Sequence, residues 1–143
     1  MLDENFLNKK LQLLTGYIDE MEPIITGFSL KELKDDSLKY HTTERLFQLI
    51  VDIMIDINIY IIRQGDFGPP DDLQSTFKTL GEHAVLNRDF AEKIAPIVGA
   101  RNMIVHRYDK LDMDLFLRNL KENFSDFKKY MVQIYAYLKN HKK

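Results

Sequence analysis

The chain has 143 residues, 45% of them hydrophobic and 29% charged, with a formal net charge of −2 and no cysteine. That length suits a single domain, residues 1–143, with its own core. The lack of cysteine excludes disulfides and thiolate metal sites and fits a cytoplasmic setting. Met1-Leu2-Asp3-Glu4-Asn5 is acidic and polar, which is wrong for a secretory signal. The longest apolar run, Leu46 to Ile62, carries Asp52, Asp56 and Asn58, which argues against a membrane span.

Apolar spacing predicts helices throughout. The first covers Asn5 to Ile25, with Phe6, Leu7, Leu11, Leu14, Ile18 and Met21 in register, and Pro23 and Gly27 are expected to end it. Ser29 should cap a short helix, Leu30 to about Asp35. A long element then starts at Ser37 or Thr42/Thr43 and runs to Gln64. It is apolar nearly all round, so it should be the central helix of a bundle, buried by its own chain and by a second one. Burial wholly by its own chain is the alternative. Gly65 to Pro70 reads as a loop, and a short helix follows from Asp71 to about Leu80. Asn87 should cap the next helix, Pro96 should kink or restart it, and it then runs to about Tyr108. Asp112 should cap a last helix reaching Asn140, with Leu115, Phe116, Leu120, Phe124, Phe127, Met131, Ile134 and Leu138 on one stripe. The expected fold class is an all-α, up-and-down bundle.

Between Arg118 and Lys143, seven Lys/Arg stand against two acids. This basic C-terminal helix is either a local phosphate footprint or a solvated face.

Chemistry concentrates in Arg101-Asn102-Met103-Ile104-Val105-His106-Arg107-Tyr108. Arginine supplies a permanent cation for phosphate oxygens, and imidazole moves protons near neutral pH. Attack of a ribose 2′-OH on the neighbouring phosphate needs a base, an acid and positive charge for the developing phosphorane. Asn102 and His106, four apart, share a helix face, whereas Arg101 and His106 lie roughly 140° apart on a regular helix. Either the helix end distorts near His106, or the site is wide and faces a second subunit. One motif histidine per chain, for two proton roles, favours a two-fold dimer or a second group such as Tyr108. Asp52 and Asp56, one turn apart in the apolar helix, need partners if buried. Arg101 is a candidate for one of them, through Asp56 in particular; Arg45, Arg63 or a wet interface are the alternatives. Two carboxylates without a third ligand are thin evidence for a metal. His41, His83 and His141 read as structural or solvated, and Tyr60 as a packing residue with a bonded hydroxyl. A capped, salt-bridged helix end would also explain the motif.

The sequence resembles the HEPN superfamily of small helical ribonucleases, whose signature is Arg, four to six residues, then His. Here it is Arg101, four residues, His106, with Asn102 after the arginine. More closely it resembles the HepT toxins of HepT–MntA toxin–antitoxin systems, with Arg-(four)-His-any-Tyr matched by Arg101, His106 and Tyr108. The likeness runs from about Leu7 to Leu138. It includes Glu44-Arg45-Leu46, Gln48, Asp52, Asp56, the Gly-Pro loop and Tyr108-Asp109 with Asp112. One departure is Arg107, where the family often has glycine.

The resemblance implies a homodimeric, metal-independent endoribonuclease toxin that needs no cofactor and cuts cellular RNA. Arg101 and His106 would be the active pair, supported by Asn102, Asp52 and Asp56. A nucleotidyltransferase (MntA-like) antitoxin would add AMP to Tyr108, placing charge and bulk beside Arg101 and His106. The rival expectation is a non-catalytic dimeric scaffold or nucleotide-binding subunit of a nucleotidyltransferase complex.

Overall fold

The computed structural model describes residues 2–106 and 112–141, and among these it contains eight helices and no strand. They are α1 (Glu4–Gly27), α2 (Leu30–Asp35), α3 (Ser37–Gly65), α4 (Ser75–Glu82), α5 (Arg88–Ile94), α6 (Ile97–Val105), α7 (Met113–Asn123) and α8 (Ser125–Asn140). The fold class is the expected all-α bundle. None of the described helices is long and apolar enough to cross a membrane.

Local chemistry sets most helix starts. The Asp3 carboxylate accepts from the Asn5 and Phe6 backbone N–H groups at the head of α1. Ser29 and Glu32 form a reciprocal capping box on α2. Asp36 accepts from the Lys39 backbone and starts α3 at the first of the two expected places. Asn87 caps α5 through the Phe90 N–H, and Asp112 caps α7 through the Leu115 N–H.

Three boundaries differ from expectation. Pro23 lies inside α1, which continues to Gly27. Pro23 is exposed, so its missing N–H costs one bond on the solvent side, while Ile25 beyond it is buried. The far end of α1 is also held from outside, because the Lys121 ammonium donates to the Ile25 and Phe28 carbonyls. The helix expected from Asp71 begins only at Ser75, since Asp72 and Ser75 bond each other's backbone N–H groups in a turn before it. Pro96 restarts the chain as expected, separating α5 from α6. The expected last helix divides at Phe124, whose own backbone stays helical (φ −55°, ψ −36°) while the Phe127 N–H reaches back only three residues to its carbonyl. α7 thereby packs on α2 and α8 on α1. Leu115, placed on the buried stripe from sequence, is exposed, and Leu117 is buried instead.

α3 is the central helix. Leu46, Phe47, Ile50, Val51, Met54, Ile57, Ile61 and Ile62 are all buried within this one chain. Its apolar girth is covered for the most part by its own chain, while Leu49 and Ile59 stay half-buried. A buried polar tie crosses the core: Tyr130 of α8 donates to the Asn58 side-chain oxygen at 2.6 Å, and the Asn58 amide donates to Thr76 of α4 at 3.1 Å.

Candidate active site

α6 brings the motif to the flank of α3. Ile97, Ala100 and Ile104 lie against the core, and Val98 is buried. This packing fixes the helix and leaves Arg101 and Asn102 half-buried along its edge. The Arg101 Nε–H donates to Asp52 Oδ1 at 2.6 Å, and its Nη1 donates to the Asn102 side-chain oxygen at 3.0 Å. A charge-assisted bond that short, to a guanidinium only 20% exposed, holds the fork in one orientation.

α6 stops at Val105. His106 is its C-cap, with φ −87° and ψ 0°, and its backbone N–H bonds to the Asn102 and Ile104 carbonyls. That backbone lies in the bridge region between helix and strand. The helical bond to the Asn102 carbonyl reaches His106 at 3.0 Å, so His106 closes the helix. The His106 side chain is exposed.

The expected Asp56–Arg101 contact is not formed. Asp56 bonds Lys10 of α1 at 3.0 Å, and Asp52 is the partner of Arg101. Neither aspartate is buried: the side chains are 52% exposed at Asp56 and 35% at Asp52. They lie on the one wet stripe of an otherwise dry helix, so each needs only a single cation. Arg45 and Arg63 are exposed and hold neither. No local pattern in the sequence points to Lys10. It borders the buried stripe of Leu7, Leu11 and Leu14, but nothing local links it to a residue 46 positions away.

Tyr108 and Arg107 lie outside the described residues. The remaining histidines have structural surroundings. His41 bonds Glu44 at 3.1 Å, His83 stacks on Phe67 at 3.9 Å between centroids, and His141 stacks on Tyr137 at 4.0 Å. The Tyr60 hydroxyl accepts from the Asp3 backbone N–H at 2.6 Å. The cations of the basic C-terminal helix have partners of unequal strength within the fold. Lys121 caps α1, Lys128 pairs with Glu22 at 2.9 Å, and Lys129 lies 4.0 Å from Asp126. Among the described residues Arg118 and Lys139 make no ion pair, and the Lys128 and Lys129 side chains are more than half exposed.

The bundle holds Arg101 against its central helix, five residues before His106 at a helix end. The chain belongs to the Ribonuclease HepT-like family, whose sequence profile matches residues 14–134. It is 30% identical over 132 residues to the tRNA nuclease HepT of Aphanizomenon flos-aquae, covering 92% of this chain and 89% of that one. It is 28% identical over 82 residues to the mRNA nuclease HepT of Shewanella oneidensis, covering 57% of this chain and 62% of that one. In fold it is similar to the tri-AMPylated Shewanella oneidensis HEPN toxin solved in complex with MNT antitoxin. That match has a TM-score of 0.81 at 22% identity, across 94% of this chain and 99% of that one.

Proposed function

We propose that this protein is a metal-independent endoribonuclease toxin, active as a homodimer and silenced when a nucleotidyltransferase antitoxin adds AMP to Tyr108. The observation that carries the proposal is the Arg101 guanidinium, fixed by Asp52 at 2.6 Å on the helix that ends in His106. In this scheme Arg101 binds the scissile phosphate and neutralises charge as the phosphorane forms. His106 takes the 2′-OH proton or returns one to the leaving 5′-oxygen. The same residue of a symmetry-related subunit performs the other transfer. Asn102 and Asp52 orient the guanidinium. The names of the two nuclease relatives support RNA as substrate, and the AMPylated state of the structural relative supports control by nucleotidyl transfer.

Expressed without its antitoxin, the parent protein is expected to arrest growth and cleave RNA in the presence of a chelator. Arg101→Ala and His106→Ala are each expected to lose cleavage by about a thousandfold or more with the fold intact, since each removes a group acting in the transition state. Folded variants as toxic as the parent would refute this assignment. Intact-mass measurement with and without the antitoxin should show added AMP units mapping to Tyr108. An unmodified but stably bound toxin would mean inhibition by binding alone.

A further inference from the structure

We infer that the RNA-contacting surface extends from Arg101 along α3 to Lys10, which takes a second phosphate, and to the Phe6–Tyr60 ring pair, which takes a base. The inference rests on the ribonuclease function proposed above. α3 leaves one side wet between α6 and α1, and on it Asp52, Asp56 and Tyr60 recur every four residues as half-buried, exposed and half-buried groups. The row is roughly 12 Å long, more than a single phosphodiester spans. Each carboxylate in it holds a cation from a different neighbouring helix: Arg101 from α6 and Lys10 from α1. The two acids are therefore neutralised, and the row does not repel an anion. The two pairs differ in exposure. The Arg101 and Asp52 side chains are 20% and 35% exposed, whereas the Lys10 and Asp56 side chains are 27% and 52% exposed. A wet lysine–carboxylate pair contributes little, so the ammonium can be shared with a phosphate at small cost.

Beyond Lys10 lie the rings. Phe6 and Tyr60 sit with centroids 4.5 Å apart and planes tilted by 31°, and the Lys10 ammonium is 5.6 Å from the Phe6 centroid. Both rings are half-buried, so each is packed on the core and partly open to solvent. The Asp3 N–H on the Tyr60 hydroxyl fixes that ring against the first turn of α1. Half-exposed rings beside a cation are what single-stranded nucleic acid binds, stacking its bases and neutralising its backbone.

The test uses a labelled single-stranded RNA carrying 2′-O-methyl groups, which cannot undergo 2′-OH attack, titrated with unmodified protein at several salt concentrations. Lys10→Gln is expected to weaken binding about five- to tenfold and to reduce the steepness of log K against log salt by about 0.7. Lys10→Arg should restore both. Phe6→Leu, which keeps an apolar side chain, should weaken binding at least fivefold with the salt slope unchanged. With cleavable RNA, Lys10→Gln should raise KM and leave kcat near the parent value. If Lys10→Gln binds as the parent does, whatever its Tm, while Arg101→Ala abolishes cleavage, the pair only ties α1 to α3. The inference then fails and the ribonuclease function stands. A parent that neither binds nor cleaves RNA refutes both.

Discussion

A guanidinium carries five N–H donors, and the ones already taken decide where the rest point. In Arg101, Asp52 takes the Nε–H and Asn102 takes one Nη1–H, which leaves the far edge of the fork for a phosphate. Asp52 is thus a positioning residue, acting through Arg101. Asp52→Asn keeps the shape and removes the charge. It is expected to lower kcat about 10- to 100-fold, as small misplacements of reacting groups do, with a smaller change in KM. Single-turnover cleavage beside a thermal melt checks this. A variant with parental kcat would show that packing alone orients the arginine. The split is the reverse of that expected at Lys10, so the two roles separate on one kinetic plot.

At the scale of elements, short helices depend on their caps. α2 has only six residues, and its N-terminus is closed by the Ser29–Glu32 box. Ser29→Ala should cost about 1 kcal/mol and lower Tm by about 2–6 °C, measured by circular dichroism. The bonds from Ser29, its backbone N–H first, hold the Glu32 pKa below its ordinary value, and the Lys39 side chain does the same for Asp36. A carboxylate with a lowered folded pKa stabilises above its unfolded pKa and loses that contribution as pH falls through the folded one. The α2–α3 junction should therefore loosen below about pH 4, and amide exchange there should rise before it rises in α3. Ser29→Ala should flatten that acid dependence.

Across the whole molecule, the Asn58–Thr76–Tyr130 tie joins α3, α4 and α8 through the driest part of the core. Burial pushes the Tyr130 phenol pKa up, so it remains a donor over the working pH range. Tyr130→Phe removes the donor and leaves the Asn58 oxygen buried without it. The expected loss is about 1–3 kcal/mol, seen as a lower urea midpoint at constant m. Cleavage at a temperature where the variant is folded should be unaffected, because the tie touches none of Arg101, Asp52 or His106.

The sequence by itself determined what depends on neighbours in the chain. Ser29, Asn87 and Asp112 cap helices where their type and spacing say they should. The apolar periods of α1 and α3 name the core, and the arginine–histidine spacing names the candidate pair. These are local properties, written in a few consecutive residues. Only the tertiary structure decided what depends on contacts distant in sequence. α1 runs through Pro23 because Ile25 is buried beyond it and Lys121, far along the chain, caps its end. The last helix divides at Phe124 as α7 packs on α2 and α8 on α1. Periodicity also placed Asp52 and Asp56 together on one face of α3, but it could not say which would receive Arg101. That was settled by how α6 and α1 lie along α3, which gave Arg101 to Asp52 and Lys10 to Asp56. An ion pair is chosen by distance in space, and local pattern carries no record of that distance.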